Sequence, residues 1–262
     1  MITNTEMFPI LRVTEKGKNN TVDEVVTEFP LTIILNNQEL VTLLCSPTNL
    51  KYLAIGFLFS EGLVKDKDEI GEIMVDDQSG VVRVETKEDK ELANELLFKR
   101  FITSGCGRGA TFYSVANAQG LAKVESQIAV SSQEVLALVK EFQHRSGIYR
   151  STGGVHSAAL CDTRSILVFN EDIGRHNAID KVFGECMLQD IPTAGRLVIT
   201  SGRVSSEILL KVAKRDVPVL ISKSAPTSMG VRLASDLGVT LIGFARGRKM
   251  NIYTNEWRVV AE

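Results

Sequence analysis

From Gly195 onward the chain alternates short apolar runs with amphipathic stretches, and this order constrains the fold more than any other feature. Leu197-Val198-Ile199-Thr200 is a continuous apolar run of the kind buried on both faces of a parallel sheet. Ser206 to Lys214 then has helical spacing, Val217 to Ser222 returns to strand, Pro226 to Leu237 is helical until Gly238 stops it, and Val239 to Phe244 is a third strand. Neighbouring parallel strands need a long return, which a helix supplies through a right-handed crossover. The order predicts an α/β architecture here.

In an open parallel sheet, ligands bind beyond the carboxyl ends of the strands. Those ends carry Ser201, Gly202 and Arg203 after the first strand and Ser222, Lys223, Ser224 and Thr227 after the second. The third delivers Phe244, Ala245, Arg246, Gly247, Arg248 and Lys249. The first two loops open helices, whose unpaired N–H groups and positive dipole end favour an anion. Hydroxyls, backbone donors and cations at one edge suit a phosphate or nucleotide, although no Walker or dinucleotide glycine pattern is present. The plainer alternative is that Ser and Thr cap helices while Arg and Lys solvate the surface.

Upstream, the chain reads as a smaller mixed α+β domain spanning 1–126, with the α/β domain spanning 127–262. Leu31 to Leu35 and Leu40 to Cys45 flank Asn36-Asn37 as a hairpin, and Leu50, Leu53, Ala54, Phe57 and Leu58 mark a helix closed by Glu61-Gly62. Ile73 to Val75 and Val81 to Val84 form a second hairpin, and Lys87 to Phe101 is a charged helix leading to the loop of Cys106. Ser131-Ser132-Gln133-Glu134 is a capping box opening the next helix.

The formal net charge of -2 gives no general attraction to nucleic acid or anionic membrane, so an anion site must be local. No run reaches membrane-spanning length and the start lacks signal-peptide features, so a cytoplasmic location is expected. The four cysteines form neither a disulfide framework nor a Cys-x-x-Cys knuckle. Cys45, Cys161 and Cys186 read as packing residues. Cys106, in Cys106-Gly107-Arg108-Gly109, sits beside a cation on glycine-rich backbone, which suits either a reactive thiol or an incidental loop residue.

Ser151-Thr152-Gly153-Gly154-Val155-His156 and Asn170-Glu171-Asp172-Ile173-Gly174-Arg175-His176-Asn177 form a second polar cluster. His176 and Asp180 share one helical face. General acid–base work, cofactor contact and an ordinary structural hydrogen bond are all open to His176. His156 and His144 are weaker candidates.

Taken together, Cys106-Gly107, Thr152-Gly153-Gly154-Val155-His156, Glu171 to Lys181, Ser201-Gly202-Arg203 and Ser222 to Thr227 resemble the FdhD proteins in order and spacing. Leu44-Cys45-Ser46-Pro47, Ala54 to Leu58 and Glu61-Gly62 are similar to the same family, so the likeness runs from about residue 40 to Tyr253. The resemblance implies a sulfur carrier for formate dehydrogenase. A cysteine desulfurase would load Cys106 as a persulfide, and the sulfur would pass to the bis(molybdopterin guanine dinucleotide) form of the molybdenum cofactor before insertion into the dehydrogenase. It also implies a cytidine-deaminase-like, three-layer second domain, homodimers, and Phe244 to Lys249 as the main cofactor-binding stretch. Pyrophosphates of the guanine dinucleotide would be held by the strand-end donors and cations.

Many members of the family carry Cys-Gly-x-Cys, whereas Gly109 stands here at the second position. Cys106 must therefore act alone or with a distant thiol. A chaperone that binds the cofactor without carrying sulfur is the main alternative. Zinc-dependent base hydrolysis is not expected, because His156 and His176 lack the following Glu and no Pro-Cys-x-x-Cys exists.

Overall fold

The computed structural model describes residues 2–88 and 121–260, so the Cys106 loop and nearly all of the helix expected from Lys87 to Phe101 lie outside the described residues. The chain opens with an antiparallel ribbon that the sequence did not announce, β1 (Thr5–Thr14) against β2 (Gly17–Val26). Both of its faces are largely exposed, so neither strand has a one-sided apolar period to betray it.

The first expected hairpin is β3 (Phe29–Leu35) and β4 (Gln38–Cys45). Asn36 and Asn37 turn the chain with φ of 47° and 62°, the left-handed pair that a tight hairpin asks of Asn or Gly. After α1 (Leu50–Ser60), the second hairpin is β5 (Ile70–Asp76) and β6 (Val81–Thr86). Parallel pairing of β3 with β6 joins the hairpins in the order β4-β3-β6-β5. Leu31, Ile33 and Leu35 alternate inward from β3 and bury against Leu53, Ile55 and Phe57 of α1.

The second half begins at β7 (Val130–Ser131) and α2 (Ser132–Arg145), where Ser131 and Glu134 form the expected reciprocal cap. Next come α3 (Gly147–Thr152), β8 (His156–Cys161), β9 (Ile166–Asp172) and α4 (Arg175–Leu188). The alternating run follows as β10 (Leu197–Thr200), α5 (Ser206–Ala213), β11 (Val219–Ser222), α6 (Ser228–Asp236) and β12 (Thr240–Arg246). It ends with β13 (Lys249–Thr254) and β14 (Val259–Val260), the latter beside β7.

A six-stranded sheet takes the order β13-β12-β11-β10-β8-β9. β10, β11 and β12 are mutually parallel as expected, and antiparallel strands extend both sides. Val198, Leu220 and Leu241 face α4, α5 and α6, while Ile199, Ile221 and Ile242 face α2. Helices thus cover both faces, a three-layer α/β arrangement.

One expectation needs correction. Phe244 to Lys249 is not an open strand-end loop: β12 continues through Arg246, Gly247-Arg248 is the turn, and Lys249 already begins β13. Gly247 makes this tight reversal possible with φ of 61°, and Ala245 is fully buried between strands and α2. Among the described residues, no helix is long and apolar enough to cross a membrane.

Candidate functional site

A cleft of about 660 Å³ opens at the carboxyl ends of the parallel strands. Each of the three strand ends contributes to its wall: Ser201 after β10, Lys223 after β11 and Arg246 at the end of β12. The rest of the wall includes Tyr149 and Arg150 of α3, Gly153 and Gly154 of the turn behind it, and His156 at the start of β8.

The strand ends are stitched together by their own backbone. Ser222 donates from its hydroxyl to the Gly202 carbonyl at 2.7 Å, and the Lys223 N–H donates to Thr200 at 3.1 Å. The Phe244 N–H reaches the Ser224 carbonyl at 3.0 Å. Ser222 is fully buried, and its hydroxyl also accepts from the Ser224 N–H, so it builds the rim from inside.

Thr227 accepts from the Gly230 N–H and caps α6, as Ser205 caps α5. Each cap satisfies one first-turn N–H, and no residue of either helix lines the cleft. The expected presentation of two helix N-termini to an anion is not what the strand ends build. Cationic side chains and α3 take that place. Gly202 is buried, while Arg203, Arg248 and Lys249 are exposed outside the cleft lining.

Electrostatics inside the cleft follow from partial burial. Burial pushes the Lys223 ammonium below its ordinary value, and its Nζ stands 5.9 Å from the Tyr149 ring centre. His156 Nδ1 lies 3.2 Å from Ser201 Oγ, which also accepts from the Ser157 N–H at 3.0 Å. Burial first, and then the Arg175 and His176 charges, lower the His156 pKa and favour its neutral form. Behind this wall, Glu171 accepts from Ser146 Oγ at 2.5 Å and from the Ile148 N–H at 3.4 Å, which anchors the start of α3.

His176 is only 8 % exposed and is absent from the cleft lining. Its Nε2 meets Glu207 of α5 at 3.1 Å, and burial outweighs that hydrogen bond in lowering its pKa. Asp180, expected on the same face, is held by Lys211 at 2.6 Å and by the Ser60 hydroxyl at 2.6 Å. The polar segment from Glu171 to Lys181 thus works chiefly as a joint. Asp172 pairs with Lys181 and accepts from the Ser46 N–H, while Asn177 donates to the Leu44 carbonyl.

The sequence matches the FdhD/NarQ family over residues 26–260. The chain belongs to that family. The protein named sulfur carrier protein FdhD from Bacillus subtilis (strain 168) is 45% identical over 246 residues, covering 94% of each chain. Its namesake from Staphylococcus aureus (strain MRSA252) is 43% identical over 252 residues, covering 96% of this chain and 95% of its own. A crystal structure of a proposed formate dehydrogenase accessory protein from Desulfotalea psychrophila superposes with a TM-score of 0.81 at 26% identity, covering 98% of this chain and all (100%) of its own.

Within this FdhD/NarQ chain, the strand-end expectation brings Ser201, Lys223 and Arg246 to one cleft and leaves the other strand-end candidates to support or flank it. Tyr149 and Arg150 also line the cleft and carry no motif of their own. Their signal was position: they directly precede the polar run Ser151 to His156, whose Gly153, Gly154 and His156 also line the cleft.

Proposed function

We propose that this protein is a sulfur carrier in the maturation of formate dehydrogenase. The observation that carries the proposal is the likeness, along nearly the whole chain, to proteins named sulfur carrier protein FdhD. The cysteine chemistry supports it. Cys45, Cys161 and Cys186 are buried, and burial raises each thiol to about 12. Thiolates do this chemistry, so those three are inert near neutral pH and Cys106 is left as the carrier.

In this reading the Cys106 thiolate attacks the terminal sulfur of a cysteine desulfurase persulfide. The S–S bond of the donor breaks, the desulfurase leaves as its thiolate, and Cys106 becomes the persulfide. The recipient is the bis(molybdopterin guanine dinucleotide) molybdenum cofactor, which is cargo for formate dehydrogenase. Converting the sulfane sulfur to a sulfido ligand consumes two electrons, which a thiol pair in trans supplies by becoming a disulfide. With Gly109 in the loop, no second thiol stands at that position.

The cleft is the proposed cargo site. Lys223, Arg150 and Arg246 offer cations, and the Tyr149 ring offers a stacking face, a combination suited to a nucleotide diphosphate. The same reading takes the second half as cytidine-deaminase-like and the working protein as a cytoplasmic homodimer.

Two measurements test the proposal. Incubation with a desulfurase and cysteine should add 32 Da to the Cys106 peptide, the mass of one sulfur atom (about 32). Cys106→Ala should keep cofactor binding and lose dehydrogenase activation. Full activation by that variant would favour the binding-only chaperone and sink the carrier.

A further inference from the structure

Arg175 opens α4 beside the cleft and runs directly across Gly202, where any side chain at 202 would collide with the Arg175 Cβ and Cδ. Its Nε is buried and has no hydrogen-bond partner among the described residues. Arg203 follows Gly202 and is exposed. Burial first, and then the Arg203 charge, push the Arg175 pKa down, with Glu207 opposing. Glu207 is itself engaged by His176 at 3.1 Å.

Arg175 and Arg203 thus flank Gly202, the first half-buried and packed against the glycine, the second exposed. Guanidinium groups pair bidentately with the oxygens of a phosphate or a carboxylate, so such a corner suits an oxyanion. The corner adjoins the cleft through Ser201, which precedes Gly202, and through Ile173, two residues before Arg175, both of which line it. The unpaired first-turn N–H groups of α4 add to the field, since Gly174 provides no side-chain cap.

We infer that Arg175 and Arg203 form a second oxyanion seat, next to the cleft, that takes a phosphate or pyrophosphate group. The inference rests on the reading of the cleft as an anion site and deepens it: the cargo would be gripped at two separate anionic groups. Gly202 then has a definite purpose, because only its missing Cβ lets Arg175 lie across the strand end.

Calorimetric titration of the full chain with inorganic pyrophosphate tests this. Wild type should bind at two sites. Arg175→Gln and Arg203→Gln should each weaken one of them at least tenfold, and Lys223→Gln should weaken only the other. Arg203 is exposed, so its variant decides the matter if Arg175→Gln fails to fold. A single site that responds to Lys223→Gln and to neither arginine variant would overturn the second seat and leave the cleft reading standing. Absence of pyrophosphate binding, or binding indifferent to all three variants, would overturn both.

Discussion

Lys181 and Asp172 form an ion pair of 2.7 Å with both side chains wholly removed from solvent. Lys181 lies on α4 and Asp172 at the end of β9, yet their shared partner is Ser46 of the first half. Its N–H donates to Asp172 at 3.0 Å and its carbonyl accepts from Lys181 at 3.2 Å. The pair therefore fastens the two halves of the chain together, and its surroundings supply the hydrogen bonds a buried pair needs.

Removing one partner should leave an uncompensated buried charge. Lys181→Met is expected to cost about 3–5 kcal/mol of folding stability. Lys181→Met combined with Asp172→Asn should cost less than the sum of the two single changes. Urea denaturation of the three variants measures both; simple additivity would refute the coupling.

The crossing of α1 and α4 depends on two glycines. A methyl at Gly56 would meet the Asp180 carbonyl, and one at Gly184 would meet the Tyr52 carbonyl. Alanine gains about 1 kcal/mol of helix propensity, but backbone cannot step aside as a side chain can. Gly56→Ala and Gly184→Ala should each be destabilising by about 3 kcal/mol, at the upper end for overpacking. An unchanged thermal midpoint for either would show that the helices separate freely.

The raised thiols give a labelling pattern. Iodoacetamide near neutral pH should modify Cys106 in the native protein and spare Cys45, Cys161 and Cys186, whose thiols are pushed up to about 12. In denaturant all four should react. Peptide mass mapping reads the result, and native labelling of Cys45 would contradict its burial.

His156 and His176 both titrate below the ordinary imidazole value, burial being the larger cause at each. As pH falls, the unfolded chain takes up protons first. The stability from these groups is complete above the ordinary value of 6.5 and is lost as pH falls through their lower native values. The urea midpoint should drop between about pH 7.5 and about pH 5, with a smaller drop in His156→Gln. Equal pH dependence in wild type and variant would remove His156 from the account.

Much of the local architecture was legible before any fold was known. The Asn36-Asn37 turn, the Ser131–Glu134 capping box and the parallel run from Leu197 to Phe244 follow from periodicity and turn chemistry, which act over a few residues. Convergence of Ser201, Lys223 and Arg246 was legible too, because parallel strands place successive carboxyl ends side by side. The β1–β2 ribbon was not, since it buries no single face.

Fold class, the succession of parallel strands and family membership all follow from local patterns in the sequence. Tertiary structure alone decided what the polar motifs do. Glu171 to Lys181 is, in isolation, a polar cluster open to catalytic, binding or structural roles, but its Asp172 is 126 residues from Ser46, and its Asp180 is 120 from Ser60. Contacts over such separations leave no local period, so whether a buried carboxylate binds a ligand or locks two halves together is settled only when the chain has folded. The same reason hid α3 as a wall of the cleft: its Tyr149 and Arg150 gain meaning only from the strand ends that line it with them.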